Sequence, residues 1–122
     1  MYNTSDIEVN MFSKELSAAT ARPLVLSILA EGESYGYEII QRVKDLSDGE
    51  VEWAEGALYP VLHRLEKSGL IESYWAVADN GRRRKYYRIK PIGQRQLKAE
   101  RRQWTLANTM LDTLWTPRLT YG

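Results

Sequence analysis

Asn80-Gly81-Arg82-Arg83-Arg84-Lys85-Tyr86-Tyr87-Arg88-Ile89-Lys90 is the stretch on which the fold turns. Asn-Gly is a strong short-range hairpin signal, because both residues accept positive φ. Before it, Leu70 to Val77 alternates so that Ile71, Trp75 and Val77 share one face of a strand. After it, the returning strand runs from about Arg84 to Lys90, with Tyr87 and Ile89 on one face. The same alternation sends Arg82 and Arg84 to one side of the hairpin, and Arg83 and Lys85 to the other.

The hairpin also carries the charge asymmetry of the chain. Over 122 residues the net charge is only +1. Yet residues 1–79 hold six basic and fourteen acidic side chains, residues 80–99 eight basic and none acidic, and residues 100–122 three basic and two acidic. One basic block in an otherwise acidic chain is the footprint of a polyanion partner. The competing reading is a solvated tip that pairs with acidic neighbours, or cationic protection of a sheet edge. Four consecutive basic residues exceed what edge protection needs. An arginine pair at a hairpin tip can enter a minor groove or straddle phosphates.

Composition narrows the remaining classes. A length of 122 residues fits one domain with a small core and one protruding element. The hydrophobic fraction of 43% and charged fraction of 27% are ordinary for a globular chain. No run approaches the ~18 apolar residues of a membrane span, and the polar start from Met1 to Asn10 does not read as a secretory signal. Cysteine is absent, which excludes disulfides and thiolate metal sites and fits a reducing cytoplasm.

Upstream of the hairpin the sequence reads as three helices. Residues 5–16 are weakly helical, with Ile7, Met11 and Leu16 as scattered anchors, so residues 1–19 are expected to form an arm or short helix. Thr20 can cap a helix from Ala21 to Glu31, with Pro23 in its first turn and Gly32 ending it. Its apolar run Leu24-Val25-Leu26 and Ile28-Leu29 marks the central core helix. Ser34 can cap a second helix to about Leu46, with Ile39, Ile40, Val43 and Leu46 as its inward stripe. A third, from about Gly56 to Ser68, buries Leu58, Leu62 and Leu65, and Pro60 requires its start near Glu55 or Gly56. Pro91 opens a last helix that Thr116-Pro117 stops near Trp115. The expected fold is therefore mainly α with a small β-hairpin: a winged helix-turn-helix domain over residues 20–90, plus a long C-terminal helix over residues 91–116.

The side of the third helix opposite its leucines presents Tyr59, His63 and Lys67, with Gly56, Pro60 and Arg64 toward its flanks. An α-helix fits the major groove, usually with its N-terminal turns nearest the bases. Gly56 and Ala57 let the backbone approach. Tyr59 and His63 stand one turn apart and can meet base edges or phosphates, while Arg64 can bond either. Free N–H groups at the helix start can hold a phosphate. The plainer alternative is a wet outer face, and the absence of acidic residues from Gly56 to Leu65 counts against it. His63 is the only histidine, with no cysteine or second histidine beside it, so neither zinc nor any other cofactor is expected. No nucleophile–base spacing, phosphate loop or dinucleotide motif accompanies it, so no enzyme is expected.

Three motifs in order resemble the PadR family of bacterial transcriptional regulators. They are Ser34-Tyr35-Gly36-Tyr37-Glu38-Ile39; Gly56-Ala57-Leu58-Tyr59-Pro60-Val61-Leu62-His63-Arg64-Leu65-Glu66 with Gly69-Leu70-Ile71; and Gly81 to Ile89 followed by Gly93. The resemblance covers about Thr20 to Leu114. It implies a homodimer on an inverted-repeat DNA operator, with the third helix in the major groove and Arg82, Arg83, Arg84 and Lys85 on a wing beside it. It also places Ser34, Tyr35 and Tyr37 near the DNA backbone, with one tyrosine of the pair free to pack internally instead. Family members usually repress transcription, and many release DNA when a small aromatic or cationic effector binds. Two departures stand out: Ile89-Lys90-Pro91-Ile92 replaces the usual Leu-Thr-acidic step, and the extension before Lys14 exceeds that of the shortest members.

The last helix, 25 residues or about 37 Å, is too long for so small a domain to cover. Leu97, Trp104 and Leu111 recur at sevens, supported by Ala107, Leu114 and Trp115, which reads as a dimerisation seam. Trp104 either packs that interface or lines a cleft between paired tryptophans that holds a flat effector. The rival to a DNA-binding regulator is a winged-helix module that binds proteins through its hairpin and long helix without reading DNA.

Overall fold

A computed structural model describes residues 12–117. Four helices and a three-stranded antiparallel sheet follow in the order α1 (Lys14–Glu31), β1 (Ser34–Tyr35), α2 (Gly36–Leu46), α3 (Glu55–Lys67), β2 (Ile71–Val77), β3 (Arg83–Ile89) and α4 (Pro91–Trp115). The expected winged helix-turn-helix with a long last helix is what the chain forms. The part of the expected N-terminal arm that includes Ile7 and Met11 lies outside the described residues.

The first helix starts earlier than the sequence suggested. Ser13, not Thr20, is its N-cap, and its hydroxyl oxygen accepts from the Leu16 N–H at 3.1 Å. Both residues are good caps, but nothing between them breaks the helix, so the upstream one prevails. Thr20 instead donates its hydroxyl to the Leu16 carbonyl at 2.7 Å. Pro23 consequently lies inside the helix rather than in its first turn, where it removes one rung of the hydrogen-bond ladder.

Ser34 is not a helix cap either. It belongs to β1, which pairs with β3 in the register Ser34–Tyr87 and Tyr35–Tyr86, so the hairpin gains a third strand and the order is β1-β3-β2. Tyr35 is the N-cap residue of α2 and makes no side-chain capping bond. The hairpin turn differs as well. Only Gly81 has positive φ, Gly81 N–H donates to Ala78 O at 2.9 Å, and Ala78 N–H donates to Arg82 O at 2.8 Å. The loop is thus Asp79–Gly81, three residues with a left-handed glycine closing it, rather than a two-residue Asn-Gly turn. Asn80 contributes through its side chain, whose Oδ1 accepts from Arg82 N–H at 3.1 Å.

The core lies where α1, α2 and α3 converge on the base of the sheet. Leu26, Ile39, Leu58, Leu62 and Ile71 are all but fully buried, and each contributes roughly 1.5–3 kcal/mol by leaving water. Val61 joins the expected Leu58, Leu62 and Leu65 stripe of α3. In α2, Ile39 and Val43 face inward, Ile40 is partly buried, and Leu46 is exposed, contrary to expectation, because the helix ends there beyond the edge of the core. On the first face of β2 only Ile71 reaches the core. Trp75 and Val77 follow its alternation but are exposed, since the hairpin outruns the helices beneath it.

Leu97 of α4 is 5% exposed and packs in this same core. One turn on, the buried Glu100 receives Arg22 Nε at 3.2 Å and Gln96 Nε2 at 3.0 Å, tying α4 to α1. Beyond Glu100 the helix extends past the domain, and every residue from Arg101 to Trp115 except the partly buried Ala107 is exposed.

Candidate nucleic-acid interface

With Leu58, Val61, Leu62 and Leu65 held in the core, α3 turns Gly56, Ala57, Tyr59, Pro60, His63 and Arg64 outward, and all six are exposed. No side chain caps its start, where Ala54 is the N-cap residue and its carbonyl accepts from the Ala57 and Leu58 N–H groups at 3.0 and 3.1 Å, and the positive end of the helix dipole lies there. Tyr59 leans across the start of α2. A methyl on Gly36 would stand 2.6 Å from the Tyr59 hydroxyl oxygen and 3.1 Å from Cζ, so the bare backbone of Gly36 is what lets that ring lie there.

The wing organises its cations on aromatic faces. The β2–β3 register sets Trp75 opposite Lys85, Val77 opposite Arg83 and Ala76 opposite Arg84. Arg83 lies over Trp75 with its guanidinium carbon 5.2 Å from the ring centre, and Arg84 over Tyr35 at 4.3 Å. Tyr35 is itself held edge-on against Tyr86 at 5.4 Å, and Tyr86 stacks on Tyr74 at 5.8 Å. Lys85 reaches over Tyr87 at 5.8 Å, whose burial pushes its phenol above the usual range.

Arg88 belongs to a different environment. Its Nε lies 2.8 Å from Glu72 and its Nη1 3.5 Å from Glu33, and the hydrogen bond to Glu72 raises the guanidinium further above its ordinary range. The Tyr74 hydroxyl donates to the same Glu33, which raises its pKa too. The basic block is therefore divided. Arg82 to Lys85 stand at the wing tip, Arg88 is neutralised at its base, Lys90 is the N-cap residue of α4, and Arg95 and Lys98 lie along that helix.

Between the wing and the helix-turn-helix lies a cleft of about 520 Å³, lined by Tyr35, Gly36, Tyr37, Glu55, Tyr59, Trp75 and Arg82 to Lys85. It gathers seven of the residues predicted from sequence: both tyrosines of the Tyr-Gly-Tyr motif, Tyr59, and all four wing cations. Pro60 and His63 stand further along the same exposed helix face, and Arg64 lines a separate groove with Ala18 and Arg22. Ser34 is not part of the surface. It is 3% exposed and donates its hydroxyl to Glu38 Oε1 at 2.6 Å, so as a contact residue it is corrected to an internal brace. Tyr37, by contrast, is 62% exposed, whereas Tyr35 is the half-buried one.

Trp75, Gly36 and Glu55 escaped the sequence reading. Alternation assigned Trp75 to the face of Ile71, which suggests core, and only its position four residues further out on the strand hinted at exposure. Glu55 sits one residue before the acid-free run of α3, in the first turn where a carboxylate favours the helix dipole.

On α4, Trp104 (37% exposed), Leu111, Leu114 and Trp115 form an uncovered apolar strip with Ala107 among them. Leu106 and Met110, unremarked in the sequence, widen it. Leu97 leaves the predicted seam, because that part of the heptad pattern serves the chain's own core. Among the described residues no group of three or more His, Asp or Glu is placed to hold a metal ion, and no helix is long and apolar enough to cross a membrane.

Comparison with known proteins finds relatives of this sequence and fold. The family model described as "Transcriptional regulator PadR-like family" matches residues 25–99. The chain is 38% identical over 89 residues to a transcriptional regulator of Mycobacterium tuberculosis, Rv3488, covering 73% of this chain and 79% of that one. Among solved structures, a transcriptional regulator from Clostridium thermocellum superposes with a TM-score of 0.76 at 33% identity, over 86% of this chain and 99% of the other. A PadR-like transcriptional regulator from Bacillus cereus gives 0.77 at 28% identity, over 86% and 100%.

Proposed function

Because the chain belongs to the PadR-like family of transcriptional regulators, we propose that it binds an inverted-repeat operator in double-stranded DNA as a homodimer and represses transcription. The observation that carries this reading is the cleft that brings Tyr35, Tyr37, Tyr59 and four consecutive cations to one surface. Residues 20–90 form the DNA-binding unit. In it α3 lies in the major groove, where Tyr59, His63 and Arg64 meet base edges, and the backbone at Gly56 and Ala57 approaches closely. Arg82 to Lys85 grip the flanking backbone or minor groove, with Tyr37 beside them.

A labelled fragment carrying the protein's own promoter should shift at nanomolar to micromolar protein, and the affinity should fall steeply with added salt. Absence of any sequence-selective shift at low salt, against genomic fragments, overturns the reading.

Residues 91–116 supply the dimer. About a turn beyond Glu100, the strip of Trp104, Ala107, Leu111, Leu114 and Trp115 has no partner among the described residues and has the spacing of a helix–helix seam. The pairing sets two α3 helices toward half-sites about one turn of DNA apart. Trp104, at the start of the strip, stacks a small aromatic or cationic effector between the two copies. Sedimentation at micromolar concentration should give a dimer, and Trp104→Ala with Leu111→Ala should weaken it by about a thousandfold or more, since the two changes make four truncations in a symmetric interface and each removes roughly 1–2 kcal/mol or more. A monomeric wild-type protein at that concentration is incompatible with the proposal.

A further inference from the structure

The arginines of the wing are held in two different ways. Arg88 lies over Tyr74 at 4.8 Å but is fixed by two carboxylates, Glu72 and Glu33. Among the described residues, Arg83 and Arg84 have no ion-pair partner. What restrains them is an aromatic face each: Trp75 for Arg83 and Tyr35 for Arg84. Tyr35 is half-buried and packed on Tyr86, so it also serves the sheet. Trp75 is 58% exposed and near the outer end of its strand.

Building on the DNA-binding reading above, we infer that Trp75 is a positioning residue of the wing, whose exposed indole holds the Arg83 guanidinium extended over the cleft and ready for a phosphate. The register explains the contact: Trp75 faces Lys85 and Val77 faces Arg83, so Trp75 and Arg83 are diagonal neighbours on one face of the hairpin. A guanidinium held over a ring face, as Arg83 is over Trp75, keeps N–H groups directed away from the ring, and those groups are what chelate phosphate oxygens. A free arginine gives up much of its rotamer freedom when it binds, and a stacked one has already done so. Trp75 and Arg83 both line the cleft, so DNA seated there covers the pair and strengthens it by excluding water. Placed this way, Arg83 and Arg84 project from opposite faces of the strand, each on its own aromatic support, and can bracket a groove edge between them.

The test is a double-mutant cycle on the full-length protein with the promoter fragment as probe, read across a salt series. Trp75→Leu should weaken binding roughly three- to tenfold, with the salt dependence unchanged because no charge is lost. Trp75→Phe should retain most of the affinity. Trp75→Leu in an Arg83→Ala background should cost nothing further. If the leucine change costs as much without Arg83 as with it, or if phenylalanine is as weak as leucine, Trp75 does not act through Arg83. A second readout needs no DNA: in the free protein the Arg83 side-chain proton resonances should be shifted upfield by the indole and return in Trp75→Leu. Resonances that do not move overturn the inference even where DNA binding is intact. A wild-type protein that shifts no DNA sinks the parent reading instead, and the resonances still decide the pairing.

Discussion

Arg82→Ala with Arg84→Ala is expected to remove the DNA complex at physiological salt while leaving the fold and the pairing of α4 unchanged. Neither side chain carries the structure. The turn is closed by Gly81 and by Asn80 Oδ1 accepting from the backbone N–H of Arg82, not by its guanidinium. Arg84 loses only its contact with Tyr35, which remains packed on Tyr86. Each charge-assisted hydrogen bond to phosphate is worth about 1.5–3 kcal/mol, so the four arginines a dimer loses account for roughly ten-thousandfold or more in affinity. The salt dependence carries the more specific signature. Four fewer neutralised phosphates per dimer should lower the slope of log K against log salt by about four. The ranking of DNA fragments should survive, because Tyr59, His63 and Arg64 on α3 are untouched. Affinity and slope both unchanged would mean that the wing does not meet DNA, and the protein-binding module would become the better account of the hairpin.

The sequence made the helix boundaries legible wherever one residue forbids continuation. Pro91 and Thr116-Pro117 bracket α4, and Pro60 placed the start of α3 within a residue. It was less informative where two residues compete for one role. Ser13 and Thr20 are both capable caps, and the choice rests on whether the segment between them can be helical, which spacing alone does not decide. Ser34 has a cap's chemistry but was claimed by a two-residue strand whose partner, Tyr87, lies far along the chain. Such pairing has no local signal.

The candidate site shows the same division. Four adjacent cations beside a turn were visible as a wing, but the withdrawal of Arg88 required Glu33 and Glu72 to be brought to it across the sheet. Likewise, a heptad spacing does not say which of its members face the chain's own core. Leu97 meets that core because α4 is still lying on the domain there, and Trp104 two turns later does not. The length of the domain beneath the helix decides the matter, and that is a tertiary quantity.

Gly93→Ala should be among the most damaging single-methyl additions in the chain. A Cβ there would stand 2.2 Å from the carbonyl oxygen of Leu70 and 2.8 Å from Ile89 Cγ1. The first obstacle is backbone and cannot rotate away. That carbonyl also accepts from Lys90 N–H at 2.9 Å, so moving it breaks the bond that joins the end of β3 to the residue entering β2. Overpacking at a rigid contact costs about 3 kcal/mol, which for a chain of this size lowers Tm by roughly 10–15 °C. The damage should also reach function, since α4, the base of the wing and the end of α3 meet at this point. Gly56→Ala is the matched control. Nothing lies within 4 Å of the added methyl, and alanine favours a helix over glycine by up to about 1 kcal/mol, so Tm should hold or rise. If Gly56 meets DNA as proposed, this variant nonetheless loses operator affinity, separating close approach to the groove from stability. Thermal melts of the two variants check the first contrast, and one promoter titration of Gly56→Ala checks the second. A Gly93→Ala protein as stable as the parent would show that α4 can lift from Leu70 at no cost, and that its first turn does not fix the wing.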